Sequence, residues 1–296
     1  MENSKIPWCD HSFSPWIGCA KCSPGCDNCY AELSHGQRYK MAEWGHGKER
    51  KRTSESNWKQ PLAWNKKAKA SSERKLVFTG SLCDIFDHEA PDEWRDDLFH
   101  LIGETPYLTW LILTKRPELL CLYRRKHYYT KWQKNIWYGV TACSQKEANR
   151  KIPYLLAIKK GTEAAKYPTP VCFVSIEPIL EAIDLHRFEY HRCNECLTIQ
   201  PSHCFNFANA DAGDCSIYCP ECGADEEGVG DMEIPGLDWV IAGAETGPNA
   251  RPANLDWFRS LRDQCRDADV PFFLKQVSAN KNNHTLDGVE HREFPR

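Results

Sequence analysis

The 296-residue chain contains no apolar run of the length that crosses a bilayer. No apolar segment follows its first residues, Met1-Glu2-Asn3-Ser4-Lys5, so no secretory leader is expected and a cytoplasmic place is. A large charge of either sign is also missing. The formal net charge is −3, which excludes wholesale attraction to nucleic acid and leaves only local patches. No glycine-rich phosphate fingerprint follows any apolar run, which argues against a Rossmann-type nucleotide site. Cysteine is not scarce: there are 16. Without an export signal, so many thiols read as reduced groups and metal ligands rather than disulfides.

With 41% hydrophobic residues the chain can build a sizeable core. Apolar, β-branched and aromatic runs recur at Leu76–Phe78, Leu108–Leu113, Ile136–Val140, Val171–Val174, Trp239–Ala242 and Phe272–Leu274. Runs of that kind suit parallel strands buried on both faces. Helical patterns separate them. One opens at Pro91, one covers Pro117 to His127, one runs from Ser144 to Lys160 with a break or restart at Pro153, and the last is capped by Asn254. A further helix is expected over residues 30 to 45. The segment His11–Ile17 reads as a short first strand or as aromatic packing. The sum is an α/β chain, a partial (β/α) barrel of TIM type with six to seven parallel strands. Polar residues gather just after the runs: Ser81 and Asp84, Lys115 and Arg116, Thr141, Ser175 and Glu177, Glu245, Lys275 and Gln276. Strand carboxyl ends are where such folds bind ligands.

The gap between the fourth and fifth runs is about twice the others. It holds Cys193-x2-Cys196 and Cys219-x2-Cys222, the paired knuckles of a zinc ribbon with four thiolates and no open position. From Asp211 to Glu233 it carries eight acids and no Lys or Arg, so it reads as a clip, lid or protein contact. The expected organisation is therefore 1–185 for the cysteine loop and first barrel part, 186–236 for the inserted module, and 237–296 for the rest. Between His46 and Lys69 eight Lys or Arg stand against two Glu, with Trp58 and Trp64 interleaved. That segment reads as a DNA or RNA contact with bases stacked on the indoles, or as a solvated loop.

The densest chemistry is Gly18-Cys19-Ala20-Lys21-Cys22-Ser23-Pro24-Gly25-Cys26-Asp27-Asn28-Cys29-Tyr30. Cys19, Cys22, Cys26 and Cys29 could close around a structural zinc, or three of them could hold a [4Fe–4S] cluster with one iron open. Cys22-x3-Cys26-x2-Cys29 followed by Tyr30 resembles the motif of radical S-adenosylmethionine (SAM) enzymes, which cleave SAM with an electron from such a cluster. The loop falls after the first expected strand, as in the partial barrel of that superfamily.

Wider stretches carry a second resemblance: Leu113-Thr114-Lys115-Arg116-Pro117, Ser175-Ile176-Glu177-Pro178, Gly243-Ala244-Glu245-Thr246-Gly247-Pro248, Pro271-Phe272-Phe273-Leu274-Lys275-Gln276 and Glu293-Phe294-Pro295. With the cysteine loop, they resemble a phage and prophage family of largely unassigned function known for a three-cysteine motif. That family looks like a remote radical SAM branch in the style of photoproduct lyases. Its triad corresponds to Cys19, Cys26 and Cys29, with Cys22 as an extra thiol; the superfamily spacing instead selects Cys22. The resemblance implies a cluster, SAM, an electron donor and a partner from a neighbouring gene. Under it, Ser81 and Asp84 would hold the amino end of SAM, and Thr141, Ser175 and Glu177 its ribose or carboxylate. Lys115, Arg116, Glu245, Lys275 and Gln276 would line the substrate side, facing a nucleobase to be modified or repaired. Two rival readings are a zinc-stabilised nucleic-acid-binding protein, and a Mg²⁺- or Mn²⁺-dependent nuclease or hydrolase using Asp84, Glu177 and Glu245.

Overall fold

The structure, a computed structural model, describes residues 1–295 apart from 127–132, 165–167, 186–189, 194–198, 202–205, 208–216, 219–228, 232–235 and 248. Seven strands form one sheet: β1 (His11–Phe13), β2 (Lys75–Thr79), β3 (Leu108–Thr114), β4 (Ile136–Thr141), β5 (Cys172–Ile176), β6 (Trp239–Gly243) and β7 (Phe272–Gln276). Their order in the sheet is their order in the chain, and every pairing is parallel. Five helices lie between or before them: α1 (Glu55–Ser71), α2 (Asp92–Glu104), α3 (Pro117–Lys126), α4 (Gln145–Ala164) and α5 (Leu255–Asp267).

Strand alternation sorts the core into two layers. Val77, Trp110, Ile112, Val140, Val174, Val240 and Leu274 point one way, into a cluster shared with Trp64 of α1, Leu98 and Ile102 of α2, Leu120 of α3, Leu155 of α4 and Phe258 and Leu261 of α5. All five helices thus cover one face, the outer wall of a half-barrel. Leu111, Phe173, Trp239, Ile241 and Phe273 point the other way and close on Trp8. Trp239 is the hub of this inner cluster, with Trp8, Trp137, Phe173, Phe273 and Phe294 all within 6.4 Å between ring centroids. The α/β half-barrel expected from the apolar runs is the fold observed.

Local chemistry sets the helix starts. Ser54 accepts from Asn57 N at 3.3 Å and Asn254 from Asp256 N at 2.9 Å, each capping the helix that follows. Two expectations change. The helix through Pro153 is continuous, because proline there removes one hydrogen bond that flanking turns outlast. The helix expected over 30–45 is only a short π-helical stretch, Glu32–Arg38, before the chain turns at Lys40 with φ of 49°.

The basic segment is also corrected. Trp64 is 2% exposed and stacks on His11 at 4.5 Å, and half-buried Trp58 packs edge-on to Phe13 at 5.5 Å. Arg50 is buried between Asp87 (2.8 Å) and Glu89 (2.9 Å). The indoles belong to the core because they lie on the inward stripe of α1, so no base-stacking platform forms from them. Lys48, Lys51, Lys59, Lys66, Lys67 and Lys69 remain exposed.

Between β5 and β6 the described backbone departs from the βα repeat. Tyr190–Cys193 pairs antiparallel with Ile199–Pro201 and Val229–Asp231, and Asn206–Phe207 with Ile217–Tyr218. Of the expected zinc ligands, Cys196, Cys219 and Cys222 lie outside the described residues, as does the side chain of Cys193. Among the described residues no helix is long and apolar enough to cross a membrane.

Candidate metal centre at the barrel mouth

β1 ends at Phe13, and the next two strand-like residues, Trp16–Ile17, pair antiparallel with Lys51–Arg52. This pairing fastens both ends of the excursion that contains the four cysteines. Gly18 leaves it with φ of 111°, a conformation glycine adopts freely, and its N–H reaches Leu82 O at 3.1 Å. A 3₁₀ turn at Pro24–Cys26 follows, capped by Ser23, which accepts from Gly25 N at 3.1 Å. The loop is thus laid across the carboxyl ends of the strands.

Two arginines grip it from opposite sides. Arg116 follows β3 and is 4% exposed. Its Nη2 donates to Ala20 O at 2.8 Å, while its Nη1 donates to Asp84 Oδ2 at 3.1 Å and lies 3.7 Å from Cys19 Sγ. Arg251 donates to Pro24 O at 2.9 Å and Asp27 Oδ2 at 3.2 Å, and doubly to the buried Glu245 at 2.6 and 2.9 Å. Glu245 also accepts from Asn28 Nδ2 at 2.9 Å. Each guanidinium is therefore seated on a buried carboxylate that follows a strand.

Asp84 accepts four hydrogen bonds from the protein: Thr114 Oγ1 (2.7 Å), Lys115 N (3.0 Å), Phe86 N (3.0 Å) and Arg116. It shapes the turn after β3. Ser81 Oγ lies 3.1 Å from Ser14 Oγ, and Ser81 O accepts from the Tyr30 hydroxyl at 2.9 Å. Thr141 and Ser175 are register partners on adjacent strands and share the inner face with Phe173. Beyond them Lys275 Nζ meets Glu177 Oε1 at 2.5 Å, and Gln276 Nε2 bridges Glu177 (3.3 Å) and Ala244 O (2.6 Å). The strand-end residues read from the sequence are thus assembled at one mouth. Arg116, Asp84 and Glu245 hold the loop there, whereas Lys115, Glu177 and Lys275 are only partly buried and border the opening. Arg251 was not singled out from the sequence. Its signal was a lone cation beyond the Glu245 stretch.

The electrostatics favour thiolates in this loop only with compensation. Burial pushes Cys19 up to about 12, Asp84 adds to the push, and Arg116 opposes it. The neighbouring thiols of Cys22 and Cys26 bias each other, lowering Cys26 and raising Cys22. Burial works against the Lys115 ammonium, but Cys26, Cys143, Cys29 and Asp84 raise it overall. Cys143, which follows β4, is buried against Gly25 and is pushed up to about 12 by that burial. Among the described residues no three His, Cys, Asp or Glu side chains already converge on a metal position. The donor set nevertheless fits a soft metal centre: four thiols on one loop, with Lys115 and Arg116 placed to offset thiolate charge.

The chain belongs to the family described as "Protein of unknown function (DUF5131)", which matches residues 3–295. No curated protein matches it. Among solved structures it is similar to a spore photoproduct lyase mutant with bound AdoMet and dinucleoside spore photoproduct. That similarity has a TM-score of 0.41 and 13% identity, covering 60% of this chain and 48% of that one. The chain thus spans about half the length of that protein.

Proposed function

We propose that the protein is a radical SAM enzyme whose [4Fe–4S] cluster is held by Cys26, Cys29 and one of Cys19 and Cys22. The observation that carries this reading is the seat of the four-thiol loop. It follows the first strand and is clamped by Arg116 and Arg251 over the mouth of a parallel half-barrel. When bound, the cluster supplies the electron for reductive cleavage of SAM. The chain's own work is placement. Thr141 and Ser175, side by side on the inner face, present hydroxyls to a ribose or carboxylate. The Glu177–Lys275 pair offers one group of each sign to the amino acid end of SAM. Ser81 meets the loop through the Tyr30 hydroxyl. Asp84, with its oxygens committed to the turn after β3, positions Lys115 and Arg116. Lys115 faces the thiols from the barrel side. The exposed lysines at 48, 51 and 59 support a polyanionic substrate, a nucleobase carried in DNA or RNA. The inserted module is assigned a structural zinc.

The test is anaerobic purification and reconstitution, with iron, sulfide and zinc counted and SAM turnover measured under dithionite. About four irons per chain, as one such cluster requires, and release of 5′-deoxyadenosine are expected. A chain that takes up no iron and leaves SAM intact would overturn the reading in favour of a zinc-bound nucleic-acid-binding protein.

A further inference from the structure

We propose that Arg116 is a positioning residue for the metal centre: it holds the Cys19 sulfur where that residue completes the ligand set with Cys26 and Cys29, and its N–H to Cys19 Sγ sets the reduction potential. The inference rests on the reading above for the kind of metal, but the Arg116–Cys19 contact stands on geometry alone.

Arg116 is the better placed of the two clamps to touch the metal chemistry. Its Nη2 fixes the peptide next to Cys19 through Ala20 O, and Nη1 reaches the sulfur itself at 3.7 Å. The guanidinium cannot drift, because Asp84 holds it at 3.1 Å, Asp87 lies at 3.9 Å, and the side chain is buried. Cys22, by contrast, is exposed. A buried sulfur beside a fixed guanidinium is a ligand kept in place, whereas an exposed one is a spare. Arg251 provides the contrast within the same loop. It grips at Pro24 and Asp27 with equal commitment, but its hydrogen bonds all go to oxygen.

The chemistry follows from where the N–H points. A donor to a ligating sulfur lowers the energy of its lone pairs and stabilises the additional electron of the reduced centre, so the reduction potential rises. A lysine at 116 keeps the charge but cannot span the sulfur, the carbonyl and the carboxylate together, since its ammonium lacks the planar fork.

The experiment uses the full chain, reconstituted anaerobically with iron and sulfide, with midpoint potentials taken by redox titration followed by electron paramagnetic resonance. Cys22→Ala is expected to keep the wild-type iron content and Cys19→Ala to lose it. Arg116→Gln is expected to move the midpoint to lower potential, Arg116→Lys to fall between, and Arg251→Gln to stay at the wild-type value. Full iron in Cys19→Ala, or an Arg251→Gln midpoint displaced as far as that of Arg116→Gln, overturns the proposal. If Arg116→Gln does not accumulate as folded protein, Arg116→Lys against Arg251→Gln decides the same question. A wild-type chain that takes no iron sinks the radical reading instead. The Arg116 contact is then read from the thiolate-to-metal band of the Co²⁺-loaded chain. Movement to longer wavelength in the Arg116 variants and not in Arg251→Gln supports it, and identical bands overturn it.

Discussion

Gly25 sits so tightly against Cys143 that a Cβ built on it would stand 2.4 Å from the sulfur and 3.3 Å from Pro178 Cδ. Neither Cys143 nor the turn after β5 can give way cheaply, since Leu180 N ties that turn to Cys143 O at 3.0 Å and Ile179 N ties it to Gly243 O of β6 at 3.0 Å. Gly25→Ala is therefore expected to cost about 1–3 kcal/mol, as overpacking generally does. Urea denaturation measures the loss, and adding Cys143→Ala should restore more than half of it. Strict additivity of the two changes would mean that the sulfur is not the obstacle. At this scale the sequence was informative about place and less so about task. Arg116 stood where a strand end predicts a ligand residue, yet it turns inward because Asp84 and Ala20 O offer a buried guanidinium all its partners. Arg251 escaped notice because the loop groups it grips, Pro24 O and Asp27, lie 227 and 224 residues away in sequence. Trp64 looked like a stacking surface because composition cannot say which side of α1 an indole faces.

The cysteine loop is the element whose stability the clamps decide. Burial alone would raise the Glu245 carboxyl, but hydrogen bonds from Arg251 and Asn28 hold it below the usual carboxylate range. A folded-state value below the unfolded one means that the Glu245 contribution is complete above about pH 4.3, the ordinary glutamate value. It is lost as pH falls through the lowered value. Hydrogen exchange of the amides at 25–29, corrected for intrinsic rate, should be unchanged from neutral pH down to about 5 and then lose protection below about 4. Glu245→Gln should show weaker protection throughout and little of that acid dependence. Equal acid sensitivity in the variant would place the titrating group elsewhere. The sheet strands were readable as elements because burial on both faces leaves continuous apolar runs. β1 was only half readable, being three residues long at an edge. The π-helical stretch after Cys29 was read as a longer helix because periodicity does not register where Lys40 takes a positive φ.

Over the whole molecule, the inner face of the half-barrel is plugged by aromatic rings centred on Trp239, whose indole N–H also reaches Glu293 O at 2.8 Å. Trp239→Ala should cost about 3–5 kcal/mol and loosen the C-terminal segment through Phe294, with the denaturation midpoint falling accordingly. A loss below about 1 kcal/mol would mean the cavity collapses onto Phe173 and Phe273 without penalty. The same architecture has a bearing on how such a chain can vary. β5 and β6 are direct neighbours in the sheet although the chain between them runs from residue 177 to residue 238. Loop closure grows only with the logarithm of length, about 0.6 kcal/mol per doubling. The sheet therefore hardly registers how much polypeptide is spliced in at that crossover. It is a socket at which a whole module can be lengthened, shortened or exchanged while the clamped cysteine loop, carried between the first two strands of the sheet, keeps its seat.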